Sequence, residues 1–527
     1  MDRVSPGIAA LITLGVALAF GLAPVLLGPA GIITRIPDDA FYYFVLARNF
    51  STLGTWTFDG VHAATGFHLL FGYGLAGLYR IAPGIGFVET YLVVSLLNAG
   101  LMTAAVYWLA QAARDTFAAR ETFSGGHGSE GAGGGELGVV LVALSAGGLH
   151  LVGFPMESCL VIAASALSYR LVAGNMQAGG ATRAVMVAAV VTGIVGVLAR
   201  SDYALLPFAL LAGFVLHALW HRRRPGRDLR VPAMLCLGAL IGIGLVTLHT
   251  HHFTGGFVQR SASIKHFWAS VSGYTPWPGV ARVVELFGPY GLPRVLVPVV
   301  LAGLGLRVVL RGRLRALLDH PLSLGSVVAI LGYVAAYSLN GAVQYWYAAT
   351  FFPAVALLAA GLVANLAPRG AVVPFLILLY AASAAWRFAH PPWPWQVATM
   401  EAGRMLRAEP GLAPVAAWNA GIVAYFAERP VMNLDGLVND DVYPAVVQGR
   451  LAPYLADRGI RYLVDFPTLF SDSGGRRGGY ADGTLARCAV PERTIRPDLP
   501  FDGTPLTLYR VAPACLTAAP RVEAAAP

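Results

Sequence analysis

The chain has 527 residues, of which 56% are hydrophobic and only 12% charged, about half the charge of a soluble domain. With a mean hydropathy of +0.63 and repeated long apolar runs, this excludes an ordinary soluble enzyme and predicts a polytopic helical membrane protein. The formal net charge of +9 does not point to nucleic acid, because the Arg residues gather in short loops between apolar runs and no basic-aromatic groove pattern accompanies them.

The first apolar run, 8–27, is not followed by a small-residue cleavage site and reads as a retained span. Pro29 and Gly31 end it. The loop that follows, 28–90, is too polar to be embedded. It opens on Pro37-Asp38-Asp39-Ala40-Phe41-Tyr42-Tyr43, two adjacent carboxylates at the start of a short aromatic helix. An acid pair beside a membrane is costly unless it has a partner or a task. Capping of free backbone N–H groups explains one acid but not two. One carboxylate can act as general base towards an attacking hydroxyl. Its neighbour can orient that base or hold a divalent cation such as magnesium or manganese, with Asp39 as the ligand. Two adjacent acids resist joint ionisation, so one should ionise less readily. Helical spacing sets Tyr42 beside Asp38 and Tyr43 beside Asp39. Next come an extended piece closed by the Asp59-Gly60 turn and Thr65-Gly66-Phe67-His68. An apolar aromatic segment then reads as a helix lying along the interface.

A second span is expected at 91–112. The glycine-rich stretch within 113–136 reads as a flexible linker, since no strand precedes it and no Lys-Ser/Thr follows. Further spans are expected at 137–153, 156–173, 184–199, 203–220, 232–250, 294–306, 322–338, 345–364 and 372–389, about eleven in all. A second long polar loop occupies 251–293. With the N-terminus in the cytoplasm, the basic loops 221–231 and 307–320 fall on the cytoplasmic side. Both long loops and everything after 390 then fall outside. One span fewer within 137–173 would reverse every later loop.

Two units follow: a membrane domain, 1–389, and a small extracytoplasmic α/β domain, 390–527. In the latter, apolar runs such as Val415–Trp418 and Tyr462–Asp465 alternate with helix-like pieces, as at Asp441–Asp457. Asp435, Asp440 and Asp441 sit in a turn-rich segment that reads as a solvated loop, with acceptor recognition as the sharper alternative. Cys488 and Cys515, outside the cytoplasm, are candidates for a disulfide, the alternative being two unpaired thiols. Cys159 and Cys236 fall in apolar runs and read as buried small hydrophobes.

The topology carries His62, His68, Glu157, Arg200, Asp202, Arg260, Lys265, His266, Gln344, Trp346 and Tyr347 to the outer face. An Arg or Lys there suits a phosphate group. The blander readings are an Arg200–Asp202 pair and a snorkelling Lys265. No zinc pattern, nucleophile elbow or dinucleotide fingerprint is present.

Several of these stretches resemble a known family. Asp38-Asp39-Ala40-Phe41-Tyr42-Tyr43, Ala47-Arg48-Asn49, Thr57-Phe58-Asp59-Gly60 and Thr65-Gly66-Phe67-His68 resemble the first outer loop of bacterial GT-C type glycosyltransferases dependent on polyprenyl-phosphate sugars. These are related to protein mannosyltransferases and lipid A aminoarabinose transferases. Met156-Glu157-Ser158, Arg200-Ser201-Asp202 and Gln344-Tyr345-Trp346-Tyr347 look like later motifs of that group. Where many relatives have Asp-Glu, this chain has Asp38-Asp39; where they have Pro-Thr-Asn-Gly-Tyr-His-Pro, it has Ala63 to Leu69.

The resemblance implies a GT-C-like fold whose acidic outer loop lies above a membrane cavity. It implies hexosyl or pentosyl transfer, with inversion, from a polyprenyl-phosphate donor to a cell-envelope glycan, lipid or protein in the bacterial cytoplasmic membrane. Asp38 is then the expected base and Asp39 the second acid. Tyr42, Arg48, His68, Glu157, Arg200, Asp202, Lys265, Gln344 and Tyr347 are the expected substrate contacts, with Arg200 or Lys265 holding the phosphate. The competing expectations are a transporter or flippase using intramembrane charges and a non-enzymatic scaffold.

Overall fold

The computed structural model describes residues 5–117, 134–222, 227–271, 318–340, 344–366, 388–470 and 483–517, with single positions between 378 and 386 and between 475 and 480. The expected spans 294–306 and 372–389, and the glycine-rich linker, lie wholly or largely outside these residues.

Among the described residues six helices are long and apolar enough to cross a membrane: Pro6–Ile33, Phe87–Phe117, Ser158–Ala178, Ser201–Trp220, Arg230–Thr254 and Pro321–Ser338. Arg183–Ala199 and Ala348–Val363 are shorter apolar helices. The expected span 137–153 is two short helices, Gly134–Ala143 and Ala146–Gly153, the second capped by the Ser145 hydroxyl accepting from the Gly148 N–H. The chain is a multi-pass membrane protein. Many of its apolar side chains face outward, Leu219, Leu240 and Leu248 among them, as expected of helices solvated by lipid. With no hydrophobic drive between helices in lipid, small residues set how closely they pack. Arg183–Ala199 crosses Arg230–Thr254 at Gly193 and Gly238; a Cβ on Gly238 would lie 2.1 Å from the Val190 carbonyl oxygen.

The acid-pair helix, Asp39–Leu53, ends at Gly54, whose φ of 73° closes the last turn. Ala40 to Ala47 are all buried, so the helix is core on every side. Phe41 stacks on Phe87 of the second span at 5.3 Å and meets Tyr425 edge-on at 5.5 Å. The interfacial helix is Leu69–Ile81. The Asp59-Gly60 turn is built as expected: the Asp59 carboxylate accepts from the Val61 and His62 N–H groups and from the His62 ring, and Thr57 bridges to Ala63.

The C-terminal part is a five-stranded mixed sheet in the order β2-β1-β3-β5-β4, with β1 Val415–Ala417, β2 Met432–Asn433, β3 Tyr462–Asp465, β4 Ala489–Ile495 and β5 Leu506–Val511. β1 runs parallel to β2 and β3; β5 runs antiparallel to β3 and β4. Parallel pairing requires a crossover, supplied between β1 and β2 by helix Ala420–Ala427. Cys488 and Cys515 form a disulfide across 27 residues, and Cys159 and Cys236 are free and buried. Closing a loop of that size restrains the unfolded chain. Replacing both bonded cysteines by Ser is expected to cost about 3 kcal/mol, read as a lower midpoint for loss of the sheet in thermal unfolding of the purified protein.

Candidate active site

Where the acid-pair helix meets the sheet domain, the two aspartates part company. Helix Ala420–Ala427 has no side-chain cap of its own, and its first N–H groups would be orphaned. Asp38 supplies the cap from 383 residues away: Oδ1 accepts from the Ile422 N–H at 2.7 Å and Oδ2 from the Gly421 N–H at 3.1 Å. Burial pushes the Asp38 carboxyl up to about 7, against the pull of these N–H bonds and with the neighbouring Asp39 charge adding to the rise. The approach is close enough that a Cβ on Gly421 would lie 2.5 Å from the Asp38 carbonyl oxygen. Gly421→Ala is therefore expected to destabilise the docked domain by about 1–3 kcal/mol, seen as earlier loss of the sheet on heating; an unchanged midpoint would show the cap to be dispensable.

Asp39 points the other way. It is half-buried and, among the described residues, makes no hydrogen bond or ion pair. Its carboxylate lines two adjoining cavities, one of about 190 Å³ and one of about 210 Å³, which share Asp39, Tyr42, Lys265 and Leu437. Burial raises the Asp39 carboxyl; Lys265 pulls it back down and Glu157 pushes it up.

The first cavity is walled by an ionic lattice. Arg200 Nη1 donates to Glu157 Oε1 at 2.9 Å, and its Nε and Nη2 donate to the two Asp202 oxygens at 3.0 and 2.6 Å. Tyr337 donates to Asp202 Oδ2 as well. Arg200 is thus committed to two carboxylates. Lys265 donates to the Tyr347 hydroxyl at 2.7 Å, a neutral partner that leaves its charge uncompensated by direct pairing. Burial acts to lower the Lys265 ammonium, but Tyr347 and Asp39 together leave it above its ordinary value. His68 Nε2 lies 3.7 Å from Glu157 Oε1, and burial lowers the imidazole. Gln259 ties this wall together, donating to the Phe67 carbonyl and accepting from Ser201.

The second cavity lies towards the sheet domain. Asp435 accepts from the Tyr42 hydroxyl at 2.6 Å and from the Leu437 N–H at 2.7 Å, and burial pushes its carboxyl up to about 7. Gln344 lines this cavity, not the first.

Of the residues expected at the site, Asp39, Tyr42, His68, Glu157, Arg200, Asp202, Lys265, Gln344 and Tyr347 line one or both cavities. Arg48 does not. About two and a half turns along its helix, it stacks on Tyr425 and donates to that residue's carbonyl. The expectation that Asp38 faces the hollow is likewise corrected, since both its oxygens are spent on the Ala420–Ala427 helix. Nor do the three later acids form a solvated loop together, for only Asp441 is exposed. Asp435 faces the second cavity, Asp440 accepts from Thr65 at 2.7 Å, and Asp441 binds Arg458 and Tyr454. His62 and Arg260 serve the same docking, through Asp59 and Asp441 and through Asp440 respectively, while His266 is exposed. Tyr337, inside an apolar span, is not among the expected site residues, whereas Asp435 is expected either in a solvated loop or in acceptor recognition.

Of the carboxylate oxygens lining the first cavity, Glu157 Oε2 has no hydrogen-bond partner among the described residues, and neither has Asp39, the expected ligand of a divalent cation. The strongest charge acting on that carboxylate is the Lys265 ammonium. Among the described residues, the group of three His, Cys, Asp or Glu side chains with converging ligand atoms is His217, His221 and Asp319, at the far end of the Ser201–Trp220 helix.

Residues 392–509 match a family model described as a domain of unknown function, DUF8728. No curated protein sequence matches the chain. The structure is similar to that of ArnT from Cupriavidus metallidurans bound to undecaprenyl phosphate, with a TM-score of 0.57 and 13% identity over 96% of this chain and 98% of that one. It is also similar to the archaeal oligosaccharyltransferase AglB from Archaeoglobus fulgidus, in complex with an inhibitory peptide and a dolichol-phosphate, with a TM-score of 0.52 and 14% identity over 91% of this chain and 72% of that one. The fold is therefore the expected GT-C type, a helical membrane body carrying an extramembrane domain.

Proposed function

We propose that this chain is a membrane glycosyltransferase that moves a hexosyl or pentosyl group from a polyprenyl phosphate to an acceptor outside the cytoplasm. The observation that carries the proposal is an uncommitted carboxylate, Asp39, sharing a cavity wall with a lysine that has no acid bonded to it. The donor phosphate sits against Lys265 in the first cavity, and the acceptor enters from the second. The acceptor oxygen forms its bond to the anomeric carbon on the face opposite the phosphate, and its proton passes to Asp39. The bond from that carbon to the phosphate oxygen breaks, and the departing polyprenyl phosphate leaves its charge beside Lys265. The product is inverted. Arg200, held by Glu157 and Asp202, shapes the wall rather than receiving the leaving group. Asp38 positions Asp39 by fixing the start of its helix. No metal ion is needed in this scheme.

The setting supports the same direction. The Ser201–Trp220 helix starts at the cavity and ends at the basic His221-Arg222 stretch, roughly 30 Å away by helical rise. The positive-inside rule puts the basic end in the cytoplasm of a bacterial inner membrane, and the cavity and sheet domain outside. The test is incubation of the purified protein with hexosyl and pentosyl polyprenyl phosphates, following free polyprenyl phosphate by mass spectrometry. Release that depends on added acceptor is expected. Movement of a lipid-linked sugar across sealed vesicles with no new glycosidic bond would overturn the proposal in favour of transport.

A further inference from the structure

The second cavity has a composition that the transfer reaction alone does not require. Much of its lining is aromatic: Trp418 and Tyr480 lie with ring centroids 5.3 Å apart, both buried, and Trp268 is half-buried. The Arg477 guanidinium lies over the Trp268 ring at 5.0 Å and, among the described residues, forms no ion pair. Polar groups ring these faces, with Gln344 and Asp435 on one side and Asp39 and Lys265 at the join with the first cavity.

From this arrangement we infer, building on the proposed transfer reaction, that the acceptor is itself a carbohydrate, a glycan whose terminal ring stacks in the second cavity and presents a hydroxyl to Asp39. A sugar ring has a flat face of C–H groups and an edge of hydroxyls. It is matched by an aromatic surface bordered by donors and acceptors. A lipid tail would want a continuous apolar wall, and here two carboxylates and two cations line it. A peptide strand would want a sheet edge to add to. The domain residues lining this cavity come instead from the turn after β1, the 435–437 turn, Leu469 and the stretch from Arg477 to Tyr480. A guanidinium seated over an indole face offers a fork of N–H groups suited to paired ring oxygens.

The test uses the purified full-length protein in lipid nanodiscs. Soluble hexose and pentose oligosaccharides, Ser/Thr-rich peptides and a short-chain phospholipid are offered as acceptors with an active polyprenyl-phosphate sugar. In parallel, calorimetry measures binding of the oligosaccharides alone. Trp268→Leu and Arg477→Ala are the variants, because both side chains are partly exposed and neither lines the donor cavity. The expected result is a glycosylated oligosaccharide, with each variant raising the saccharide KM about tenfold, or about 1.4 kcal/mol, and leaving the donor KM unchanged. Donor consumption with product only on peptide or phospholipid overturns the glycan assignment while the transfer reaction stands. Saccharide binding that both variants abolish, with no transfer to any acceptor, would show a glycan site in the second cavity but refute the transfer reaction, and with it the saccharide's role as acceptor. Variants that raise the donor KM instead would show the second cavity to be part of the donor site, and the assignment would fall.

Discussion

Asp39→Asn is expected to slow sugar transfer by roughly 10²- to 10⁴-fold, the usual contribution of a positioned general base, without lowering protein abundance or donor affinity. The amide has nearly the shape of the carboxylate, and Asp39 makes no bond among the described residues that folding would miss. Asp38→Asn should behave in the opposite way. Its side chain has one oxygen left to accept and an NH2 group facing a backbone N–H, so one of the two bonds to Gly421 and Ile422 is lost. Loss of a cap costs about 0.5–2 kcal/mol, so this variant should unfold earlier but keep much of its turnover at low temperature. Measuring rate and thermal midpoint for both variants separates the roles. If Asp38→Asn were inactive and fully stable, while Asp39→Asn kept its activity, the two assignments would have to be exchanged.

Lys265→Met should reduce kcat/KM by about 10²- to 10³-fold, the scale seen when one preorganised charge-stabilising group is removed. The two side chains have similar reach, so packing against Tyr347 is largely kept. The variant also makes a second, independent prediction through pH. Asp39 works as a base only when ionised, so activity appears as pH rises through its folded-state pKa and is lost below it. Burial already holds that value above the ordinary carboxylate range, and Lys265 acts to lower it. Removing the ammonium takes away the lowering influence. The acid limb of the rate profile should therefore move further towards alkaline pH. Lost activity with an unmoved limb would mean that Lys265 touches the phosphate but does not influence Asp39; full activity would remove it from the site.

Much of this arrangement could be read from local pattern. The acid pair stood out because two carboxylates beside an apolar span have no cheap local explanation. The β1 and β3 segments were visible as short apolar runs, and counting spans was enough to expect Glu157, Arg200, Asp202 and Lys265 on one face, where they line a single cavity. What was not legible depended on partners far along the chain. Nothing near residue 38 announces that its carboxylate caps a helix starting at residue 420, so local pattern does not tell which of the two aspartates lines the cavity. Arg48 looked like a substrate contact because it sits in a family-like run, yet its position on the helix turns it towards Tyr425. The Asn433-Leu434-Asp435-Gly436 stretch has the composition of a solvated turn, and only its bond with Tyr42 makes Asp435 part of a wall.

The cap on Ala420–Ala427 also sets a clock on biosynthesis. The acid pair is made early, whereas the N–H groups that fix it come 383 residues later. At about 5–20 residues per second the ribosome needs roughly 20–80 s to make that intervening stretch. Until then the Asp38 carboxylate lacks both of its N–H partners, although the helix behind it can already pack Phe41 on Phe87. Both cavities draw part of their lining from the sheet domain, Leu437 and Val438 in the first and Trp418, Asp435 and Tyr480 in the second, so a chain that has not yet folded this domain lacks part of each wall.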